Sequence, residues 1–169
     1  MSIQQGEQKR ALDHSHVDQG RINNTCQGHR DHVAVGITLL VETIAAYSDT
    51  KFLCEVLDIF ACDNLGALWD MQHTVRTAEE SPETTVKNLG AYIKHVHLKD
   101  SEVVNGQMEY RLIGEGSLPI GDMVRSLYSI NYDGFISLEW EPHWIEEIDN
   151  LELIALHFCN FMSRFGDTA

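Results

Sequence analysis

Four short apolar segments of the sequence each end in a residue that can bind a metal ion or move a proton. These residues are, in chain order, Glu42, Asp70, His97 and Glu139. Each has an ordinary explanation when taken alone, because acids are often solvated at strand ends, Asp caps turns, and a single His is commonly a satisfied core residue. Four in succession are hard to attribute to chance if the segments are neighbouring parallel strands, whose carboxyl ends share one edge.

Three carboxylates and one imidazole form an oxygen-rich set, which suits Mn²⁺, Mg²⁺ or Co²⁺, with Zn²⁺ as a further candidate. Two neighbours of this set also attract attention. His73 follows Asp70 by three residues and is expected on the loop after that strand, and Lys99 alternates with His97 so that both side chains share one strand face. Glu141 shares a face with Glu139, but Glu139 is nearer the apolar run and is the expected ligand.

The elements that must position these residues form repeating βα units. Val-, Ile- and Leu-rich runs alternate with segments of helical period, which is typical of a parallel sheet. The predicted strands are Ile37–Glu42, Leu65–Asp70, Ile93–Lys99 and Phe135–Glu139. The predicted helices are Lys51–Ala61, Pro82–Ala91, Ile120–Ile130 and Ile145–Arg164. Asn105-Gly106 predicts a hairpin turn between Glu102–Val104 and Met108–Leu112.

Four parallel βα units make half of an eightfold α/β barrel. An open four-stranded parallel sheet with helices on both faces is the alternative that periodicity leaves open. The 169 residues, 43% of them hydrophobic, suffice for one globular domain, placed at residues 33–169. Residues 1–32 contain hardly any large apolar side chains and are expected to form a flexible arm.

A formal charge of −14 disfavours nucleic acid as a partner. The four cysteines are scattered without a CxxC pair, and the amino terminus lacks an apolar secretory stretch, so a reducing cytoplasm is the expected location. No apolar run approaches the roughly 20 residues needed to cross a bilayer, so no membrane partner is expected.

Several motifs carry a family resemblance when they are taken together and in order. They are VETIAAYSDT, LGALWDMQHTVRTAEESPE, IKHVHLKDS, YRLIGEGSLPI and YDGFISLEWEP, within Val33 to Phe165. In this region the sequence resembles the xylose isomerase-like TIM barrel superfamily, in particular its sugar phosphate isomerase/epimerase branch. The GEGSLP segment resembles the loop that leads into the seventh helix of that barrel.

The resemblance implies a function and a set of roles. Glu42, Asp70, His97 and Glu139 match the metal ligands on the last four barrel strands, and Glu42 and Glu139 would also form the acid/base pair. His73, Lys99 and, more loosely, Arg111 match substrate-binding positions. The implied reaction is isomerisation or epimerisation of a sugar or sugar phosphate, by proton transfer through an enediolate at a divalent metal.

The same resemblance sets limits on that function, since the match begins about where the fifth barrel strand should stand. Half a barrel has two unpaired edge strands, so we expect homo-oligomerisation. A noncatalytic barrel fragment or assembly subunit is therefore an alternative. An endonuclease IV-like nuclease is less favoured, because EYRLIGEG (residues 109–116) lacks the Asp-x-His that its zinc cluster requires.

Overall fold

The sheet that carries the candidate residues has four parallel strands. A computed structural model of the protein describes residues 37–145, 148 and 150–166. The strands are β1 (Leu39–Glu42), β2 (Leu65–Asp70), β3 (Ile93–Leu98) and β6 (Ile136–Leu138), and they lie side by side in that order. Strands that follow one another across the sheet in chain order are typical of a barrel. The predicted arm at residues 1–32 lies outside the described residues.

A two-stranded hairpin stands apart from this sheet. Its antiparallel strands are β4 (Asp100–Val104) and β5 (Gln107–Arg111), which follow β3 almost directly. Asn105 and Gly106 make the turn, and both have a positive φ. The Asn-Gly dipeptide accommodates this conformation at low cost, so the predicted hairpin is confirmed.

Five α-helices connect and cover the strands: α1 (Thr50–Phe60), α2 (Met71–Arg76), α3 (Pro82–Leu89), α4 (Ile120–Ser129) and α5 (Leu151–Met162). Short 3₁₀ turns occupy Ala45–Ser48, Gly90–Tyr92 and Ser163–Phe165. Side-chain caps start four of the helices, because Asp49, Asp70, Ser81 and Asn150 each accept a backbone N–H of the first turn. No helix among the described residues combines the length and hydropathy needed to cross a bilayer.

The core lies between the helices and one face of the sheet. Alternate residues of β2 and β3 point into it and are completely buried, namely Ala67, Trp69, Val96 and Leu98. Leu53 and Leu57 of α1 and Met123 of α4 pack in the same core. We call this the outer face of the sheet, and the opposite face, which carries the candidate residues, the inner face.

Two sequence predictions about local structure were wrong. His73 was expected on a loop, but it lies in the first turn of α2, which begins directly after β2. The last helix was expected from Ile145, but α5 begins at Leu151, where the Asn150 side chain caps it. The half-barrel prediction itself is confirmed by the parallel four-stranded sheet and its strand order.

Candidate metal centre

Asp70 has two roles at the carboxyl end of β2. Its side chain is fully buried, and Oδ1 accepts the backbone N–H groups of Gln72 (3.0 Å) and His73 (3.3 Å), which caps α2. The Thr43 hydroxyl bonds both the backbone N–H and the carbonyl oxygen of Asp70, joining the loop after β1 to β2. These contacts fix the carboxylate and leave Oδ2 for other partners.

The structure brings the four sequence-predicted ligands together. One oxygen or nitrogen atom from each of Glu42, Asp70, His97 and Glu139 lies within 4.8 Å of the others. His97 Nδ1 is 3.3 Å from Glu139 Oε2 and 3.7 Å from Glu42 Oε1. An octahedral Mg²⁺ ion binds oxygen at about 2.1 Å, so opposite ligands stand about 4.2 Å apart. The spacing is therefore close to what one ion requires.

The donor set also fits a divalent ion chemically. His97 Nδ1 is buried and, within the described part of the chain, has no hydrogen-bond partner despite the nearby carboxylates. An unsatisfied buried nitrogen costs about 1–3 kcal/mol, and a bound cation would remove that penalty. Three carboxylates supply hard oxygen ligands and negative charge. A divalent ion thus suits these residues.

Lys99 lies in the middle of this acidic group. Its Nζ donates to Asp70 Oδ2 at 2.5 Å and to Glu139 Oε2 at 2.7 Å, and its side chain is almost fully buried. Burial alone would lower the pKa of Lys99, but the charges and hydrogen bonds of the two carboxylates outweigh it and raise the pKa. Lys99 is therefore a cation.

The two carboxylates respond differently to this lysine. Burial raises the pKa of Asp70, and the Lys99 charge offsets only part of that effect. Burial would also raise the pKa of Glu139, but hydrogen bonds and the Lys99 charge outweigh it, so that pKa is lowered. Glu139 is thereby held in its basic, ionised form.

The structure places the other predicted site residues at different distances from the cluster. His73 Nε2 lies 3.4 Å from Asp70 Oδ2, directly beside the ligands. Arg111, in contrast, binds two carboxylates of its own hairpin, Glu102 and Glu109. Glu141, the alternative to Glu139, is exposed and pairs with His143 at 3.3 Å.

Asp100 is a buried carboxylate that sequence reasoning missed. Its two oxygens accept four backbone N–H groups, those of Ser101, Gly114, Gly116 and Leu118. A Cβ at Gly116 would collide with this carboxylate, so only glycine fits there. Asp100 thus fastens the GEGSLP segment beside the end of β3. The position of an acid directly after IKHVHLK was the available signal.

A pair of aromatic residues closes the hairpin side of the cluster. The rings of Tyr110 and Trp144 stack with centroids 3.9 Å apart and an interplanar angle of 6°. Lys99 Nζ is 5.6 Å from the centroid of the Trp144 ring, within cation–π range. Sequence reasoning missed this pair because Tyr110 lies in β5 and Trp144 lies in the segment after β6, with no shared periodicity.

Comparison with known proteins identifies the family. The model of the xylose isomerase-like TIM barrel family matches residues 27–158. The chain belongs to this family. An uncharacterized protein of Methanocaldococcus jannaschii is 37% identical over 90 residues, which are 52% of this chain and 29% of that protein. The matched segment therefore covers less than a third of this relative.

Solved structures share the fold. D-psicose 3-epimerase with D-tagatose from Clostridium cellulolyticum H10 matches with a TM-score of 0.68 and 15% identity, over 87% of this chain and 55% of that one. A xylose isomerase domain protein from Planctomyces limnophilus matches with a TM-score of 0.60 and 18% identity, over 88% and 55% respectively. This chain spans about half the length of these barrels.

Proposed function

We propose that the chain carries the metal centre of a sugar isomerase or epimerase, acting on a free or phosphorylated sugar. The convergence of Glu42, Asp70, His97 and Glu139 at one rim of the sheet carries this proposal. The buried, unpartnered Nδ1 of His97 supports it, since a ligand nitrogen should have no protein partner. The fold shared with a D-psicose 3-epimerase supports the substrate class.

Each residue has a role in the proposed reaction. A divalent ion, when bound, supplies polarisation of a sugar carbonyl, which makes the neighbouring C–H acidic. Glu139 accepts the proton from that carbon, and its lowered pKa keeps it ionised for this purpose. Glu42, after taking up a proton from solvent, delivers it to the other face of the planar carbon, and Glu139 releases the abstracted proton to solvent. His73 and Lys99 orient the substrate oxygens beside the ligands.

Metal content is the direct test of the site. We expect purified wild-type protein to hold Mn²⁺, Mg²⁺ or Co²⁺ in a one-to-one ratio, measured by inductively coupled plasma mass spectrometry after dialysis. Asp70→Ala and Glu139→Gln should lose that ion because each removes a charged ligand. Glu141→Gln is the matched control, since Glu141 is close in sequence but exposed and outside the cluster. Equal metal content in wild type and all variants would contradict the proposed site.

Proton exchange tests the assigned chemistry. Wild-type protein should incorporate solvent deuterium into D-tagatose or into one of a panel of ketoses and ketose phosphates, followed by NMR. Glu139→Gln should abolish the exchange while Glu141→Gln keeps it. Unchanged exchange in Glu139→Gln would contradict the base assignment.

We also propose that two copies associate edge to edge through their four-stranded sheets. Within the described residues, β1 and β6 each have one hydrogen-bonded neighbour, so both edges of the sheet are unpaired. Phe135, which alternation places on the inner face with Ser137 and Glu139, is 82% exposed. A twofold axis parallel to the strands would pair β6 of one copy with β1 of the other and cover both phenylalanines.

Light scattering after size exclusion tests this association. The full chain should run as a dimer, and Phe135→Asp should shift it to monomer because a carboxylate would be buried in the interface. Ile59→Asp is the control, since Ile59 is exposed on α1. A wild-type monomer would contradict the proposal.

A further inference from the structure

Lys99 is buried almost as completely as Asp70, the most buried residue of the candidate metal centre. Only 3% of its surface is exposed, and its ammonium group contacts two of the four candidate ligands, at 2.5 Å and 2.7 Å. A buried ammonium is costly unless it is paired, and two carboxylates provide that pairing. Lys99 therefore belongs to the charge balance of the metal centre.

Trp144 holds the lysine from the hairpin side. Its ring lies 5.6 Å from Lys99 Nζ and is itself fixed by the stacked ring of Tyr110. Cation–π contact stabilises the charge in place, more strongly where water is excluded. The ammonium is thus confined next to the oxygens that would bind an ion.

The three carboxylates of the cluster and Lys99 together carry a net charge of two negative units when all are ionised. Glu42, Asp70 and Glu139 contribute three negative charges when ionised, and Lys99 contributes one positive charge, which leaves two negative charges. A divalent ion would neutralise this set. Without the lysine, three negative charges would remain, and a trivalent ion would become the better match.

We infer that Lys99 is a specificity-determining residue of the metal centre, which sets its charge so that divalent ions are preferred over trivalent ones. This inference rests on the proposed metal site. The lysine repels any bound cation, and the repulsion grows with the charge of that cation. Removing the lysine charge therefore favours a trivalent ion over a divalent one by one further unit-charge interaction.

Competition between Mn²⁺ and Tb³⁺ measures this preference without any enzymatic assay. Tb³⁺ binding is followed by luminescence excited through tryptophan, and Mn²⁺ binding by electron paramagnetic resonance. In Lys99→Gln the ratio of the Tb³⁺ affinity to the Mn²⁺ affinity should rise at least about tenfold over wild type, as expected for one unit charge a few ångströms away in a partly solvated site. Circular dichroism establishes that the variant is folded.

Two further variants make the result decisive. Lys99→Arg keeps the charge, so its ratio should stay near wild type, and this readout does not depend on the folding of Lys99→Gln. Lys94→Met removes an exposed charge on β3, the strand that Lys99 follows, and should leave the ratio unchanged. An unchanged ratio in Lys99→Gln, or a large rise in Lys99→Arg, overturns the inference while the metal site stands. Failure of wild type to bind either ion overturns the proposed site as well.

Discussion

The two faces of the four-stranded sheet have opposite characters. On the outer face, Trp69, Val96 and Leu98 are completely buried beneath helices. On the inner face, Leu40 and Leu68 are half-buried, and Phe135 is exposed. Hydrophobic burial is therefore concentrated on one face, and the ionisable groups are concentrated on the other. Alternate residues of the same strands therefore have different roles. Those on the outer face stabilise the fold, and those on the inner face form the candidate metal centre.

A pair of leucine truncations provides the strongest test of this comparison. Leu98→Ala on the outer face should lower the free energy of unfolding by about 2–5 kcal/mol, because it leaves a cavity in packed surroundings. Leu68→Ala on the inner face should cost less, about 1–2 kcal/mol, because that side chain is only half-buried. Urea unfolding followed by circular dichroism measures both.

The same two variants also test the proposed dimer. If another chain covers the inner face, the cost of Leu68→Ala should increase with protein concentration, whereas the cost of Leu98→Ala should not. If both variants lose the same unfolding free energy at low protein concentration, the two faces do not differ in their contribution to stability.

Asp100→Asn should have an intermediate effect, because this carboxylate is a buried charge near the site rather than part of the apolar core. The amide would turn an NH₂ group toward backbone N–H donors that now bond to oxygen. We expect a loss of about 1–3 kcal/mol in unfolding free energy. Asp122→Asn, at an exposed position, is the control. A cost no larger than that of the control would show that the outer face alone stabilises the fold.

Ser81→Ala should have the smallest effect, since it removes only the cap of α3. The Ser81 hydroxyl accepts the backbone N–H of Thr84 at 3.2 Å, and loss of such a cap costs about 1 kcal/mol. Metal affinity, measured by calorimetry, should not change because the cap lies on the outer layer. A change in affinity would indicate that the two faces are coupled.

The sequence predicted the sheet because short runs rich in Val, Ile and Leu alternate along the chain with segments of helical period. It also predicted that Glu42, Asp70, His97 and Glu139 would meet, since parallel strands deliver their carboxyl ends to one edge. The hairpin was predicted by its Asn-Gly turn. These features depend on local pattern and on one rule of topology.

The features that sequence reasoning missed depend on contacts between distant segments. Lys99 and Glu139 are 40 positions apart, and Tyr110 of β5 stacks on Trp144, which follows β6. The six-residue helix α2 is too short for periodicity to reveal, and the Asp70 cap that starts it is a side-chain conformation. The periodicity of the sequence predicts which face of a strand a residue occupies. It does not predict which residue of a distant segment will contact it.

The Asp100 contacts have a consequence for the motions of the chain. Gly114, Gly116 and Leu118 lie outside helices and strands, where amide hydrogens usually exchange quickly with solvent. Their N–H groups are nevertheless bound to a buried carboxylate, so exchange requires the segment to detach from Asp100. The loop beside the site should therefore exchange as slowly as a regular helix. The segment would then be ordered before any substrate binds.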